Sequence, residues 1–193
     1  MRVHLVQCHP LAGSLNAHLA DSIAHMLAER GHAVDRLDLY AHGFSPALTP
    51  EERGGYYAEP LTQPEIAALQ ERLAAAECLV LVFPTWWFSL PAMLKGWFDR
   101  VWTPGFAFAH GTPIRPLLTN LKSVLIVTTL GSPWWIDRIV MGNPVGRVLK
   151  TALIGACAPG ARVKMLSLHS AEGVSADRLS AFERRIGKWI LAL

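Results

Sequence analysis

The chain has 193 residues and a net charge of +3, with 51% hydrophobic and only 17% charged residues. Because about 25% charged residues is usual, this composition excludes a disordered chain and predicts one folded domain over residues 1–193. The small charge, without a Lys/Arg cluster, argues against nucleic-acid binding, and three scattered cysteines exclude a disulfide framework or a CxxC metal site.

The N-terminal segment, MRVHLVQCHP, is typical of a first strand and not of an export signal, because one basic residue precedes a short apolar stretch. The longest uncharged run, residues 78–94, contains Pro84 and Pro91. A membrane span needs about 20 apolar residues, so we expect no membrane span and a soluble, cytoplasmic protein.

Apolar runs predict five strands, at residues 2–8, 33–39, 78–83, 124–129 and 163–168. A helical pattern follows every strand, and in the case of the second strand a long loop comes before it. Gly31 is placed to end the first helix, Ser89 to cap one that ends near Arg100, and Ser175 to cap the last.

Between the second and third strands, residues 41–61 lack periodicity and are predicted to form a long loop. Thr62 to Glu65 is typical of a capping box, and Ile66, Leu69 and Leu73 give the helix behind it an apolar face. Residues 145–157 are predicted to form another helix. The alternation of five strands with five helices predicts an α/β fold, a doubly wound parallel sheet with helices on both faces.

Such sheets bind ligands beyond the carboxyl ends of their strands. The first strand leads through His9 to Ser14 and Asn16 and then into a helix. A helix N-terminus offers unpaired N–H groups to an anion. A plain helix cap formed by Ser14 or Asn16 explains the same residues, and for this loop alone it is the simpler interpretation.

The third strand ends in three consecutive aromatic residues, Trp86, Trp87 and Phe88. Neighbouring side chains on a strand or turn diverge, so all three cannot enter the core, and a planar ligand would stack on those that do not. The fourth strand ends in small hydroxyl residues and Gly131. Because these side chains are small or absent, the backbone there can come close to a ligand. Together the loops predict a planar cofactor that carries phosphate.

These segments resemble the flavodoxin-like NAD(P)H:quinone oxidoreductases, over residues 2–135 and most specifically over residues 83–108. The resemblance implies a flavodoxin-like fold and a flavin, FAD with FMN as the alternative. It implies that NAD(P)H reduces the flavin and that a quinone or similar small electrophile then takes the two electrons, in ping-pong order.

The resemblance also implies residue roles. The flavin phosphates would be held by residues of the first loop: His9, Ser14, Leu15 and Asn16. One side of the isoalloxazine would be lined by the third strand's end: Pro84, Thr85, Trp86, Trp87 and Phe88. The pyrimidine edge of the isoalloxazine would receive hydrogen bonds from backbone N–H groups at the end of the fourth strand: Thr128, Thr129, Leu130 and Gly131. The substrate pocket would be aromatic: Trp87, Phe88, Phe108, His110, Trp134 and Trp135.

Similar proteins are homodimers in which the segment around Phe108 and His110 closes the partner's pocket. The sequence departs from the family at Leu130, where glycine is usual and where leucine would narrow the pocket. It also lacks the Tyr and His that assist charge relay in the mammalian enzymes, which leaves Asp137 and Arg138 as candidates for that role.

Three other functions remain open: a flavodoxin-type electron carrier, an ancillary subunit of a cation-efflux transporter, and a binding module that has lost its flavin. Carriers are commonly acidic, unlike this chain. Tyr56 and Tyr57 either contact a partner's cofactor or pack their own loop. Packing roles are predicted for the three cysteines and for Trp189, and an i,i+4 ion pair for Lys95 and Asp99. Six histidines are predicted to be solvated or packed and not metal ligands: His4, His18, His25, His32, His42 and His169.

Overall fold

The computed structural model describes residues 1–57 and 63–193. They contain a five-stranded parallel sheet and a two-stranded hairpin. In chain order the elements are β1 (Arg2–Gln7), α1 (Leu15–Ala28), β2 (Ala33–Asp38), α2 (Pro50–Gly54), α3 (Pro64–Ala74), β3 (Cys78–Pro84), α4 (Ala92–Val101), β4 (Phe108–Ala109), β5 (Arg115–Pro116), β6 (Ser123–Thr129), α5 (Pro144–Arg147), α6 (Gly155–Cys157), β7 (Arg162–Leu168) and α7 (Ala176–Ile190).

The large sheet has the strand order β2-β1-β3-β6-β7, and all its pairings are parallel. This confirms the predicted doubly wound α/β fold. The hairpin β4–β5 is antiparallel and was not predicted. Two stretches are π-helical, Ile136–Val140 and Val148–Ile154. The second joins α5 to α6 in one continuous helix, which confirms the helix predicted over residues 145–157. The first was not predicted.

A hydrophobic layer covers each face of the sheet. Every residue of β3 and β6 is buried, as expected for central parallel strands that are covered on both sides. Helices α3 and α4 pack on one face around Leu79 and Trp97. Helices α1 and α7 pack on the other, and α7 buries the apolar face predicted for it: Phe182, Ile186, Trp189 and Ile190.

The helix caps test several predicted boundaries. Ser14 Oγ accepts a hydrogen bond from the Ala17 N–H at 3.2 Å, and Ser175 caps α7 in the same way. Gly31 follows α1 with a φ of 73°, which glycine adopts without the Cβ clash of other residues. These three boundary predictions are confirmed.

The predicted cap at Ser89 is wrong. Helix α4 begins at Ala92, behind Pro91, and the backbone of Ser89 pairs with that of Trp86 in both directions, at 2.9 and 3.2 Å. The residue before a proline is disfavoured in the helical conformation, so Leu90 cannot easily form the first residue of a helix that Ser89 would cap. Thr62 lies outside the described residues, and Gln63, which precedes α3, makes no side-chain capping bond.

The long loop before α3 is fastened to α4 by a buried ion pair. Within this loop α2 begins with a capping box between Thr49 and Glu52. The Glu52 carboxylate accepts from Arg100 Nη2 at 2.7 Å and from its Nε at 3.0 Å, and both side chains are buried. Gly96 of α4 contacts Pro46 so closely that a Cβ there would lie 2.1 Å from the Pro46 carbonyl oxygen. The loop is therefore held at two points.

We expect Gly96→Ala to lower the free energy of unfolding by about 1–3 kcal/mol, because the added methyl group overlaps backbone that is itself held in place. Gly54→Ala is the matched control, since a Cβ at Gly54 meets no atom within 4 Å. Denaturant titration of the two variants gives the comparison. Equal effects of the two changes would contradict the close packing of Pro46 on α4.

Candidate functional site

A cavity of about 240 Å³ opens at the carboxyl ends of β1, β3 and β6. The parallel register brings these ends together: Gln7 and Val127 both pair with Val82 of β3. Most of the predicted cofactor-binding residues line this cavity: His9, Leu15, Asn16, Pro84, Thr85, Trp86, Thr129, Leu130 and Gly131. Ala171 and Glu172, which follow β7, complete the wall and carried no signal in the sequence.

Asn16 joins two of the loops. Its Nδ2 donates to Thr129 Oγ1 at 3.0 Å, while its Oδ1 is buried without a hydrogen-bond partner among the described residues. An unpaired buried acceptor costs about 1–3 kcal/mol. The Asn16 side chain therefore holds an unpaired, buried acceptor in the wall of the cavity.

The first turn of α1 lies beside Asn16. Ser14 Oγ takes the N–H of Ala17, but the N–H groups of Leu15 and Asn16 belong to the part of a helix that has no acceptor of its own. The cap predicted for Ser14 thus leaves two donors and the positive end of a 14-residue helix for an anion.

The aromatic segment after β3 forms a strained turn. Trp87 and Phe88 have φ angles of 49° and 54°, in the left-handed region that bulky residues rarely adopt. The paired backbones of Trp86 and Ser89 close this turn. Trp87 is 97% exposed and Trp86 42%, so these rings do not enter the core of this chain, and the ring of Trp86 stands edge-on to His9, with centroids 6.0 Å apart.

The loop after β6 offers fewer donors than predicted. The Leu130 N–H donates to the Leu168 carbonyl at 3.0 Å, so it is not available to a ligand. Thr128 is buried and its hydroxyl is 2.7 Å from that of Thr85. The Gly131 N–H has no acceptor among the described residues, and a Cβ at Gly131 would lie 2.9 Å from Glu172 Oε1. Glycine here allows the two loops to approach.

Asp137 is the centre of a buried polar cluster. Its Oδ2 accepts from His169 Nε2 at 3.0 Å and lies 3.1 Å from Arg138 Nε, and Arg138 Nη2 donates to Ser167 Oγ at 3.0 Å. The two residues considered for a charge-relay role are thus bonded to each other. The pairing with His169, 32 residues away, left no signal in the sequence.

The residues of the predicted substrate pocket are spread over this chain. Phe108 belongs to the hairpin, and His110 follows it, with the Tyr57 ring 5.2 Å away. Trp134 lines a second cavity with His169, and Trp135 is half exposed. Tyr57 is exposed and packs on Tyr56 of its own loop. Their grouping into one pocket stays a prediction.

Comparisons with known proteins agree with this architecture. A family model described as flavodoxin-like fold matches residues 1–158. The chain is similar to YcaK of Escherichia coli (strain K12), named an uncharacterized NAD(P)H oxidoreductase, with 44% identity over 111 residues, 57% of each chain. It is 33% identical over 148 residues to NAD(P)H dehydrogenase [quinone] 1 of Rattus norvegicus, covering 68% of this chain and 54% of that one.

This chain therefore spans little more than half the length of these two relatives. Among solved structures, the NAD(P)H:quinone oxidoreductase from Methanothermobacter marburgensis matches with a TM-score of 0.86 and 25% identity, covering 98% of this chain and 95% of that one. Within the described residues, no helix combines the length and the apolar character of a membrane-crossing segment.

The three cysteines are buried and unpaired, as predicted. Burial raises the pKa of the Cys8 and Cys78 thiols to about 12 and that of Cys157 to about 11. Cys8 adjoins His9 at the cavity, but at neutral pH it stays a protonated thiol, which is a poor nucleophile.

We expect none of the three thiols to react with a disulfide reagent within minutes at pH 8, because about one Cys8 thiol in ten thousand is ionised when its pKa lies near 12. Colorimetric thiol titration measures this, and the protein unfolded in guanidinium should release the full count. Rapid reaction of one thiol in the native protein would show that a cysteine is accessible and ionised.

Proposed function

The chain belongs to the family of proteins with a flavodoxin-like fold, and on that basis we propose that it is a flavin-dependent oxidoreductase. It passes two electrons from NAD(P)H to a quinone or a similar small electrophile. The proposal is supported by the activities for which its relatives are named, and above all by the cavity where the strand ends converge.

The residues of this cavity fit a flavin. A flavin has a planar ring with hydrogen-bonding edges and a phosphate, and when bound it supplies the chemistry of accepting a hydride and releasing two electrons. The first-turn amides of α1 suit the phosphate. The amide side chain of Asn16 lies in the cavity wall, and the partly exposed side chain of Trp86 suits contact with a planar ring.

The protein's own side chains and backbone groups would bind and orient the flavin and the substrates, and they would not take part in the electron transfer themselves. The nicotinamide and the acceptor would both reach the flavin through this cavity and would use it in turn, which is ping-pong order. The Gly131 N–H, which lines the cavity without an acceptor among the described residues, would stabilise negative charge on a bound flavin. Contacts with apolar groups such as the Trp86 ring change the binding free energy of an acceptor by only about 1–3 kcal/mol per methylene-sized difference. We therefore expect several quinone-like acceptors to be used. FAD is the expected flavin and FMN the alternative.

We expect the purified protein, incubated with FAD or FMN and desalted, to keep a visible flavin band that bleaches when NADH or NADPH is added without oxygen.

Asn16→Asp places a carboxylate beside the proposed phosphate site and should weaken flavin binding at least about tenfold. Absorbance and equilibrium dialysis measure the two effects.

Asn120→Asp is the control for lost stability. Asn120 precedes β6, and its Nδ2 donates to the Leu73 and Ala76 carbonyls before β3, at the end of the sheet opposite to the cavity. It should lower stability and leave flavin affinity unchanged. A protein that retains neither flavin would overturn the cofactor assignment. A retained band that neither nicotinamide bleaches would favour an electron carrier.

A homodimer is part of the proposal, and the exposed apolar side chains that follow β6 support it. Trp134, Ile139, Val140 and Met141 are exposed, and Val148 follows on the next helix. Monomeric proteins rarely expose such a group, so we propose that a second copy covers it. The segment around Phe108 and His110 would then close the partner's cavity.

We expect the 21.2 kDa chain to sediment as a dimer and Ile139→Asp to shift it towards monomer, because a charge would be buried in the interface. Leu191→Asp, at a similarly exposed leucine at the end of α7, is the control and should stay dimeric. Sedimentation velocity distinguishes the states. If the unmodified chain is monomeric at micromolar concentration, the proposed dimer is refuted. The flavin assignment does not depend on that result.

A further inference from the structure

Glu172 is an acidic residue in the wall of the cavity at the carboxyl ends of β1, β3 and β6. Among the described residues that line this cavity it is the one acid, and His9 is the one base. Glu172 is exposed, and its carboxylate makes no hydrogen bond or ion pair with the described residues. Arg178 of α7 donates instead to the carbonyls of His169 and Ser170, at 2.8 and 3.3 Å. The cavity wall therefore carries a negative charge that no cation of the described chain neutralises.

A tight turn after β7 fixes the position of Glu172. The Val174 N–H donates to the Ala171 carbonyl at 3.2 Å, and Gly173, inside the turn, has a φ of 66°. The Ala171 N–H donates in its turn to the Leu130 carbonyl at 3.0 Å. The turn is thus bonded to the loop after β6, so the backbone that carries Glu172 is held against the sheet.

Glu172 places a hydrogen-bond acceptor beside the donor that Gly131 offers. A Cβ on Gly131 would lie 2.9 Å from Glu172 Oε1, so the carboxylate is close to the Gly131 backbone. The Gly131 N–H has no acceptor among the described residues. An N–H beside a carboxylate is complementary to a carbonyl beside an N–H, and this is the arrangement along the pyrimidine edge of a flavin ring.

The charges of the cavity wall favour one orientation of a flavin. The first-turn amides of α1 suit its phosphate, and His9 precedes them on the same loop. A phosphate placed beside the Glu172 carboxylate would be repelled, since both groups are negative. The uncharged end of the flavin, which is its ring, would therefore face Glu172.

We propose that Glu172 accepts a hydrogen bond from the flavin ring and lowers the midpoint potential of the bound flavin. The inference rests on the proposed function and deepens it. A hydride carries two electrons and one proton, so its transfer from the nicotinamide to the ring adds one negative charge. The Glu172 carboxylate repels that charge and disfavours the reduced form relative to the oxidised form. Glu172 thus offsets the stabilisation that the neighbouring Gly131 N–H supplies, and the reduced flavin becomes a stronger electron donor.

The test measures the midpoint potential of the flavin-loaded protein, by dithionite titration against a reference dye without oxygen or nicotinamide. Glu172→Gln keeps the size of the side chain and removes its charge. We expect this variant to bind reduced flavin about tenfold more tightly relative to oxidised flavin, which raises the midpoint potential by about 30 mV for a two-electron couple. Glu29→Gln makes the same change at the opposite end of α1 and, as the control, should leave the potential unchanged.

A second variant tests whether charge is the cause. Glu172→Lys reverses the charge and should raise the midpoint potential further than Glu172→Gln does. The inference is overturned if Glu172→Gln has the potential of the Glu29→Gln control, or if the lysine variant has a lower potential than the glutamine variant. A protein that retains no flavin would overturn it together with the cofactor assignment. If the protein keeps its flavin but neither nicotinamide reduces it, the proposed function fails, and the dithionite titration still decides the role of Glu172.

Discussion

The parallel pairing of β3 with β6 is the constraint on which the rest of the molecule depends. Each residue from Cys78 to Pro84 has a partner from Ser123 to Thr129, and both strands are buried throughout. A shift of one residue would exchange the side chains packed on the α3 and α4 face with those packed on the α1 and α7 face, so close packing on both faces fixes the register. Because the register is fixed, the loops that leave these strands start from defined points at one edge of the sheet.

Side-chain bonds then connect the loops. Asn16 reaches Thr129, Thr85 reaches Thr128, and the approach of Glu172 to Gly131 brings in the loop after β7. On the other side, Arg100 and Glu52 fasten the long loop to α4, the helix that follows the aromatic turn. The sheet edge fixes the start of the aromatic turn, and α4, which is bound to the long loop, fixes its end. Residues 87–88 are therefore held in an unfavourable backbone conformation.

The parts of this structure that the sequence predicted are those with a local pattern. Five apolar runs became five strands, and Ser14 and Ser175 became caps, because strand burial and capping each involve neighbouring residues. Helix α2 was missed although Thr49 and Glu52 form a capping box, since the surrounding loop has no apolar periodicity. The use of the Leu130 N–H by Leu168 and the pairing of Asp137 with His169 depend on the folded sheet, and no short-range pattern encodes them.

The aromatic turn also has a consequence for how this chain can vary. Glycine at residue 87 or 88 would relieve the left-handed backbone at no steric cost, so selection for stability alone would favour it there. The chain instead keeps a tryptophan and a phenylalanine, one of them almost wholly exposed. Positions where a residue opposes the stability optimum are the ones retained for contacts made outside the folded chain. Directed evolution of a more stable form should therefore gain stability early by substitutions at this turn, and it would lose the external contacts that those two rings make.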